Sequence, residues 1–212
     1  MLASTPDVDP GTTAPRVVVI GCGALARELL ALTKGIPGVK VHCVDARLHM
    51  RPSKIAGAVE DRIAKTRAAY GDDVRIFVAY ADCGTGGSLD AVLEREGVER
   101  IGGAHCYEFY AGPAAYAALQ EEELGTFYLT DFLARQFETL VLVGLGLDRH
   151  PELMSDYFGS YRRLVYLAQT DDDELTARAQ AAAERLGLAF ERRPTGYGEL
   201  APTIHHAIAG GS

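Results

Sequence analysis

Three of the four cysteines follow short apolar runs that are typical of buried strands. Cys22 comes after the run 17–20, Cys83 after 76–80, and Cys106 after a shorter run that begins at Arg100. In an open parallel sheet the carboxyl ends of the strands share one edge, and such folds bind ligands along that edge. We therefore expect the three thiols to meet in one crevice, as ligands of a metal ion or a cluster.

The residues beside two of these cysteines suit a ligand site. Glycines next to a cysteine let the backbone turn tightly and leave the sulfur unshielded. Each of the three cysteines also precedes a predicted helix, whose first amides favour a thiolate. We assign a cofactor-binding role to Gly21, Gly23, Gly84, Thr85 and Gly86.

Three thiolates are a recognised ligand set for two kinds of centre. They can hold a cubane iron–sulfur cluster with one iron left open for substrate, or they can join a histidine in a Cys₃His zinc site. No Cys-x-x-Cys pair is present, which argues against an ordinary zinc ribbon. We predict a three-cysteine iron–sulfur cluster, with zinc as the alternative. His105 and His49 are the candidates for a fourth ligand or a proton-transfer group.

Two carboxylates lie close in sequence to the thiols. Asp82 and Glu108 are candidates for acid–base chemistry or for orienting a ligand, together with the two histidines. Either carboxylate is also a suitable helix cap. Cys43 lies inside the apolar run 41–44 and is interpreted as core packing.

Two other classes of function fit parts of the same pattern. The glycine-rich run 82–87 resembles the cofactor loop of an S-adenosylmethionine-dependent methyltransferase. However, two strand–helix units precede it, and His105-Cys106 stands where such enzymes carry an acidic residue. The third class is a non-catalytic metal carrier or partner protein. A closed four-ligand site favours a carrier and an open position favours an enzyme.

Apolar runs alternate with helical segments along the chain, which predicts an α/β fold. We expect one doubly wound, mostly parallel, Rossmann-like sheet of six or seven strands with helices on both faces. Residues 16–209 are predicted to form a single domain and residues 1–15 a disordered tail. The predicted strands are 16–20, 39–44, 74–80, 100–104, 140–144, 163–168 and an edge strand 188–191. The predicted helices include 88–96, ended by Gly97, a helix from about 107 to 122, and 172–186, ended by Gly187.

The composition limits the classes of partner that the protein can bind. The 212-residue chain has a formal net charge of −8 and no basic run, which excludes non-specific nucleic-acid binding. No apolar stretch approaches the roughly 18 residues that cross a membrane. The amino terminus has no secretory pattern, so we expect a cytoplasmic protein, where cysteines serve metals or catalysis more often than disulfides.

Four segments carry a resemblance to a known family. The runs 82–87, 105–108, 125–133 and 166–172 are similar to the family catalogued as domain of unknown function 1638, as are residues 21–25 and the pair Leu48-His49. The family pattern has an asparagine where this chain has Met50. The resemblance implies an association with corrinoid-dependent methylamine methyltransferase systems. It therefore implies one-carbon metabolism and a small-molecule substrate.

Overall fold

The computed structural model describes residues 14–210, and all strand pairing in that range is parallel. The first sheet has four strands in the order β2-β1-β3-β4, and the second has three in the order β5-β6-β7. Most of the predicted amino-terminal tail lies outside the described residues. The strands are β1 (Val17–Cys22), β2 (Val39–Val44), β3 (Arg75–Ala79), β4 (Glu99–Arg100), β5 (Thr126–Thr130), β6 (Arg163–Ala168) and β7 (Ala189–Pro194).

Helices lie on both sides of these sheets, as an α/β fold requires. A π-helix covers Phe137–Val143, and short 3₁₀ turns include Gly23–Leu25, Ala46–Met50 and Pro52–Lys54. The α-helices are α1 (Ala26–Thr33), α2 (Ile55–Tyr70), α3 (Ser88–Glu96), α4 (Cys106–Ala111), α5 (Pro113–Glu122), α6 (Asp131–Gln136), α7 (Met154–Phe158), α8 (Asp173–Leu186) and α9 (Leu200–Ala209).

The α/β class is confirmed, but the prediction of a single sheet is wrong. Strand β4 has only two residues, which pair with Phe77 and Val78 of β3, and the chain then enters helices. Strands β5, β6 and β7 pair only among themselves within the described residues. A strand of two residues offers too few backbone hydrogen bonds for a further strand to pair with it, so the first sheet ends at β4.

The predicted strand 100–104 is reduced to Glu99–Arg100, and two further predicted elements differ in kind from the structure. In the predicted strand 140–144, residues 140–143 belong to the π-helix. The prediction failed because periodicity alone does not distinguish a short buried strand from a buried helix segment. The helix predicted from about residue 107 to 122 is two helices. Gly112 has φ +84° and Pro113 begins α5, so the chain breaks between them.

Local signals explain the helix ends that the sequence places well. The carboxylate of Asp172 accepts a hydrogen bond from the Leu175 amide at 3.0 Å, which caps α8. Gly97 and Gly187 follow α3 and α8 with φ +61° and +70°, the left-handed conformation that ends helices. These residues make both boundaries predictable.

The first sheet contains a topological switch point. Strand β1 pairs with β2 on one side and with β3 on the other. The connection from β1 to β2 and the connection from β3 to β4 therefore run in opposite directions along the sheet. Ligand crevices in open α/β sheets lie at the carboxyl ends of such strands. Tyr107 and Phe132 pack against the cores of both sheets and join them. Among residues 14–210, no helix is both long and apolar enough to cross a membrane.

Candidate thiol site

The structure brings Cys22, Cys83 and Cys106 together around one small cavity at the switch point. We call it the thiol cavity. His49 and Tyr80 also line it. Its volume is about 10 Å³, which is at the lower limit for one water molecule. The remaining walls are Ala24, Leu25, Ala81 and Phe109.

Adjacent strands place the three sulfurs. Cys22 is the last residue of β1, and its neighbour Gly21 is level with Ala79 at the end of β3. Cys83 lies in the loop after β3, and Cys106 is the first residue of α4. Because β1, β3 and β4 are neighbours in the sheet, their carboxyl ends lie side by side and the thiols meet.

The glycine-rich loop is built around the carboxylate of Asp82. That carboxylate accepts hydrogen bonds from the amides of Gly84 (3.2 Å), Gly86 (3.4 Å) and Gly87 (3.3 Å) and from the Thr85 hydroxyl (2.5 Å). The Thr85 hydroxyl and then the loop amides lower the pKa of Asp82. The amides that would hold an anionic cofactor in such a loop are therefore already engaged.

Cys83 has an unusual backbone conformation. Its φ of +50° is the only positive value of a non-glycine residue among residues 14–210. Left-handed backbone is costly for a side chain with a Cβ atom, and such strain concentrates at functional sites. Gly84 beside it has φ +81°, and a Cβ there would lie 3.5 Å from Pro52 Cγ. The loop thus fixes the backbone from which the Cys83 side chain extends.

Burial keeps the thiols protonated. It is the largest cause of the raised pKa of Cys22, of Cys106 and of Cys83, which reaches about 12. The neighbouring thiols raise the pKa of Cys83 and Cys106 further. The predicted lowering by helix amides does occur at Cys106, but burial outweighs it.

The two candidate histidines have different surroundings. His49 lines the thiol cavity, and its Nδ1 atom is buried without a hydrogen-bond partner in the described part of the chain. Burial, and then the charge of His105, lowers the pKa of His49, which favours the neutral imidazole. His105 is exposed before α4 and does not line the cavity.

Three of the predicted site residues, Glu108, Gly21 and Gly23, contact the protein backbone or its core. Glu108 accepts a hydrogen bond from the Ala104 amide at 2.8 Å, which steadies the turn before Cys106. A Cβ atom at Gly21 would lie 2.3 Å from a methyl of Leu29, and one at Gly23 would lie 2.7 Å from a backbone oxygen. These three residues support the site without lining its cavity.

Tyr80 is the residue of the cavity that sequence reasoning missed. Its side chain is buried, and its hydroxyl has no hydrogen-bond partner among the described residues. Burial, followed by the proximity of Cys22, raises the pKa of Tyr80. A tyrosine directly after an apolar strand and three residues before Cys83 was the available signal.

A second group of polar residues lies at the carboxyl ends of β5 and β6. Asp131 is fully buried and accepts hydrogen bonds from the Tyr166 hydroxyl (2.8 Å), the Gln169 amide (3.0 Å) and the Thr170 hydroxyl (2.5 Å). Its carboxylate is satisfied by these partners, so this group joins the strand ends of the second sheet.

The three thiols line one cavity, but they are not arranged to hold a metal ion. Within residues 14–210, no three His, Cys, Asp or Glu side chains have the arrangement that holds a metal ion. All four cysteines are free thiols. The structure therefore shows a cavity lined by neutral thiols.

These features define an α/β protein with a four-stranded parallel sheet and a thiol cavity at its switch point. The chain belongs to the family described as "Protein of unknown function (DUF1638)", whose model matches residues 43–204. Cys83, Cys106 and His49 lie inside the matched range, and Cys22 precedes it. No curated protein and no solved structure matches the chain.

Proposed function

We propose that Cys22, Cys83 and Cys106 bind one thiophilic metal ion and that the protein is an enzyme acting on a small molecule beside it. The observation that carries the proposal is the convergence of three free thiols, from three neighbouring strand ends, on one cavity. Soft thiolate ligands select zinc, copper(I) or iron–sulfur centres.

The size of the cavity favours a single ion such as zinc over a cluster. A volume of about 10 Å³ admits one small sphere, whereas a cubane adds four irons and four sulfides. The iron–sulfur cluster predicted from the sequence requires the walls to separate. It remains a distinct outcome of the experiment below.

Metal binding at this site must release protons and rotate side chains. The thiols are neutral when buried, so each one that becomes a ligand loses its proton, and affinity rises with pH. The sulfurs also have to turn toward a common centre, since their present arrangement does not hold a metal. A bound ion with three protein ligands supplies a Lewis acid at its open position.

His49 is proposed as the proton-transfer group. Its lowered pKa favours the neutral imidazole, and its buried Nδ1 is free of hydrogen bonds to the described residues. It can accept a proton from a substrate held at the cavity. If His49 were instead a fourth ligand, the site would be closed, as in a carrier or structural centre.

The cellular context is proposed from the resemblance of the sequence and from its thiols. The link to corrinoid-dependent methylamine methyltransferase systems suggests a role in methyl-group or one-carbon metabolism, with such a system as partner. Four free cysteines suit a reducing cytoplasm.

Anaerobic purification with metal and sulfide analysis tests the proposal. We expect one zinc ion per chain, no sulfide and a colourless protein. Replacing zinc with Co²⁺ should give thiolate-to-metal absorption bands. Each of Cys22→Ser, Cys83→Ser and Cys106→Ser should lower the metal content at least tenfold.

Cys43→Ser is the matched control, because Cys43 lies on β2 and does not line the cavity. It should keep full metal content, and His49→Ala should keep both the metal and the Co²⁺ spectrum. Metal loss in His49→Ala would replace the enzyme with a closed-site carrier. A brown protein with iron and sulfide would overturn the single ion, and metal-free protein that binds S-adenosylmethionine would overturn the metal site.

A further inference from the structure

A second pocket lies next to the thiol cavity and shares a wall with it. Its volume is about 160 Å³. His49 and Tyr107 line it on the side of the first sheet, and it reaches the second sheet at Phe127 of β5. We call it the apolar pocket, because its other walls are hydrocarbon or thioether. They include Leu133, Leu140, Val141, Leu145 and Phe158.

The size and chemistry of this pocket define what it can hold. A cavity of about 150 Å³ lined by Leu, Ile and Phe binds benzene in another protein. At about 160 Å³ the apolar pocket therefore matches one six-membered ring or a branched alkyl group of similar volume. No acidic side chain lines its described walls, so it offers no carboxylate partner for an ammonium group.

One wall has an uncommon backbone structure. Leu140 and Val141 belong to the π-helix Phe137–Val143. π-Helices are rare and are frequently found at functional sites. Phe127 and Phe158 form another part of the wall with an edge-to-face contact at 5.3 Å.

The two cavities meet at His49. This residue lines both, and Tyr107 of the apolar pocket directly follows Cys106 of the thiol cavity. A molecule whose hydrocarbon part fills the apolar pocket would thus place its other end against the imidazole. The Nδ1 atom of His49 is buried and has no hydrogen-bond partner in the described part of the chain, so it is a candidate contact for that end.

We propose that the apolar pocket binds the hydrocarbon part of the substrate, an uncharged group of about one ring, and that the reacting end lies at His49 beside the thiols. The role of that end rests on the proposed function, whereas binding of the hydrocarbon does not. The group is much larger than a methyl group, so the substrate is not methylamine itself.

Benzene is the probe for this inference. In an NMR titration we expect saturable binding to wild-type protein, with and without metal, and no competition from methylammonium. Leu145→Trp fills the pocket from a partly exposed position and should weaken benzene binding at least tenfold while leaving metal content unchanged. Leu124→Trp, at a residue 83% exposed and outside the pocket, is the matched control.

The Co²⁺-loaded protein tests the orientation. Benzene protons should relax faster in Co²⁺ protein than in zinc protein, because the pocket adjoins the proposed metal. Cys83→Ser should lose the metal but keep benzene binding, which separates this inference from the proposed function. Absence of saturable benzene binding, equal weakening by Leu124→Trp, or displacement by methylammonium would overturn it.

Discussion

The amide of Cys83 donates a hydrogen bond to the carbonyl oxygen of Ala104 at 2.8 Å, which ties the loop after β3 to the turn before Cys106. The Asp82 amide donates to Gly103 in the same way at 3.1 Å. These bonds join the loop after β3 to the segment after β4, beyond the last paired residues of the two strands. Two of the three thiols are therefore positioned by one pair of backbone hydrogen bonds.

Asp82→Ala should loosen this loop. The substitution removes the acceptor for the Thr85 hydroxyl and the amides of Gly84, Gly86 and Gly87. The loop is partly exposed, so we expect a loss of about 1–2 kcal/mol in the free energy of unfolding, measured with urea at pH 7. Metal affinity should fall with it. Asp61→Ala, which removes only an exposed contact with Lys65, should change stability by less than about 0.5 kcal/mol; equal effects would contradict the role of Asp82.

Asp82→Ala also tests how the free energy of unfolding depends on pH in the acid range. The folded pKa of Asp82 is lowered, so its contribution to stability is present above its unfolded pKa and is lost as the pH falls through the folded value. The difference in unfolding free energy between wild type and Asp82→Ala should shrink from pH 6 to pH 3. A constant difference over that range would show that the carboxylate charge is not involved.

Gly23→Ala should destabilise the fold. A Cβ atom there would lie 2.7 Å from the carbonyl oxygen of Val44 and 2.9 Å from the amide of Ala46, both backbone atoms that cannot rotate away. We expect a loss of about 1–3 kcal/mol in the free energy of unfolding, measured with urea.

Gly57→Ala is the control, for which we expect a change of the opposite sign. It lies on the exposed face of α2, its Cβ would meet no described atom within 4 Å, and it should gain about 0.5–1 kcal/mol. Equal effects of the two substitutions would contradict this close approach.

The sequence was sufficient for the elements that carry their own end signals. Strands 39–44 and 163–168 and helix 88–96 agree with the structure to the residue. Gly38 and Gly97, both with positive φ, mark the start of the first strand and the end of the helix, and 163–168 is a continuous mainly apolar run. The division into two sheets depends on how far β4 extends. That length is decided by tertiary pairing, which composition and periodicity do not report.

For the thiol cavity, too, one part of the site could be predicted from the sequence and another part could not. Strand-end position was enough to choose Cys22, Cys83 and Cys106, since strand order makes their strands neighbours. It did not distinguish His49 from His105, because burial and not spacing separates them. The apolar pocket could not be predicted at all, since its walls come from segments up to about a hundred residues apart and from a π-helix.

Alkaline conditions should destabilise the metal-free protein. Burial raises the pKa of Cys83 from its ordinary value of 9.0 to about 12, so the folded state keeps a proton that the unfolded state releases. The stabilising contribution is complete below pH 9 and is lost as the pH rises toward about 12. Urea unfolding should therefore show a smaller loss of stability between pH 8 and pH 10.5 in Cys83→Ser than in wild type. A serine variant that loses as much as wild type would place the titrating group elsewhere.

Tyr80→Phe tests whether the Tyr80 hydroxyl affects only the stability of the fold or also the ionisation of the thiols. The hydroxyl of Tyr80 is buried without a hydrogen-bond partner among residues 14–210, so its removal relieves an unpaired polar group. We expect the metal-free variant to be equal to wild type in stability or up to about 1 kcal/mol more stable. If Cys22 ionises, this hydroxyl can donate a hydrogen bond to the thiolate, and this effect lowers the pKa of Cys22 against the larger effect of burial. Without it, Cys22 should be harder to ionise, and the variant should require a higher pH for the same Co²⁺ occupancy. Tyr70→Phe, outside the thiol cavity, is the control and should leave that pH unchanged. A Tyr80→Phe protein with an unaltered pH profile would show that the tyrosine is core packing alone.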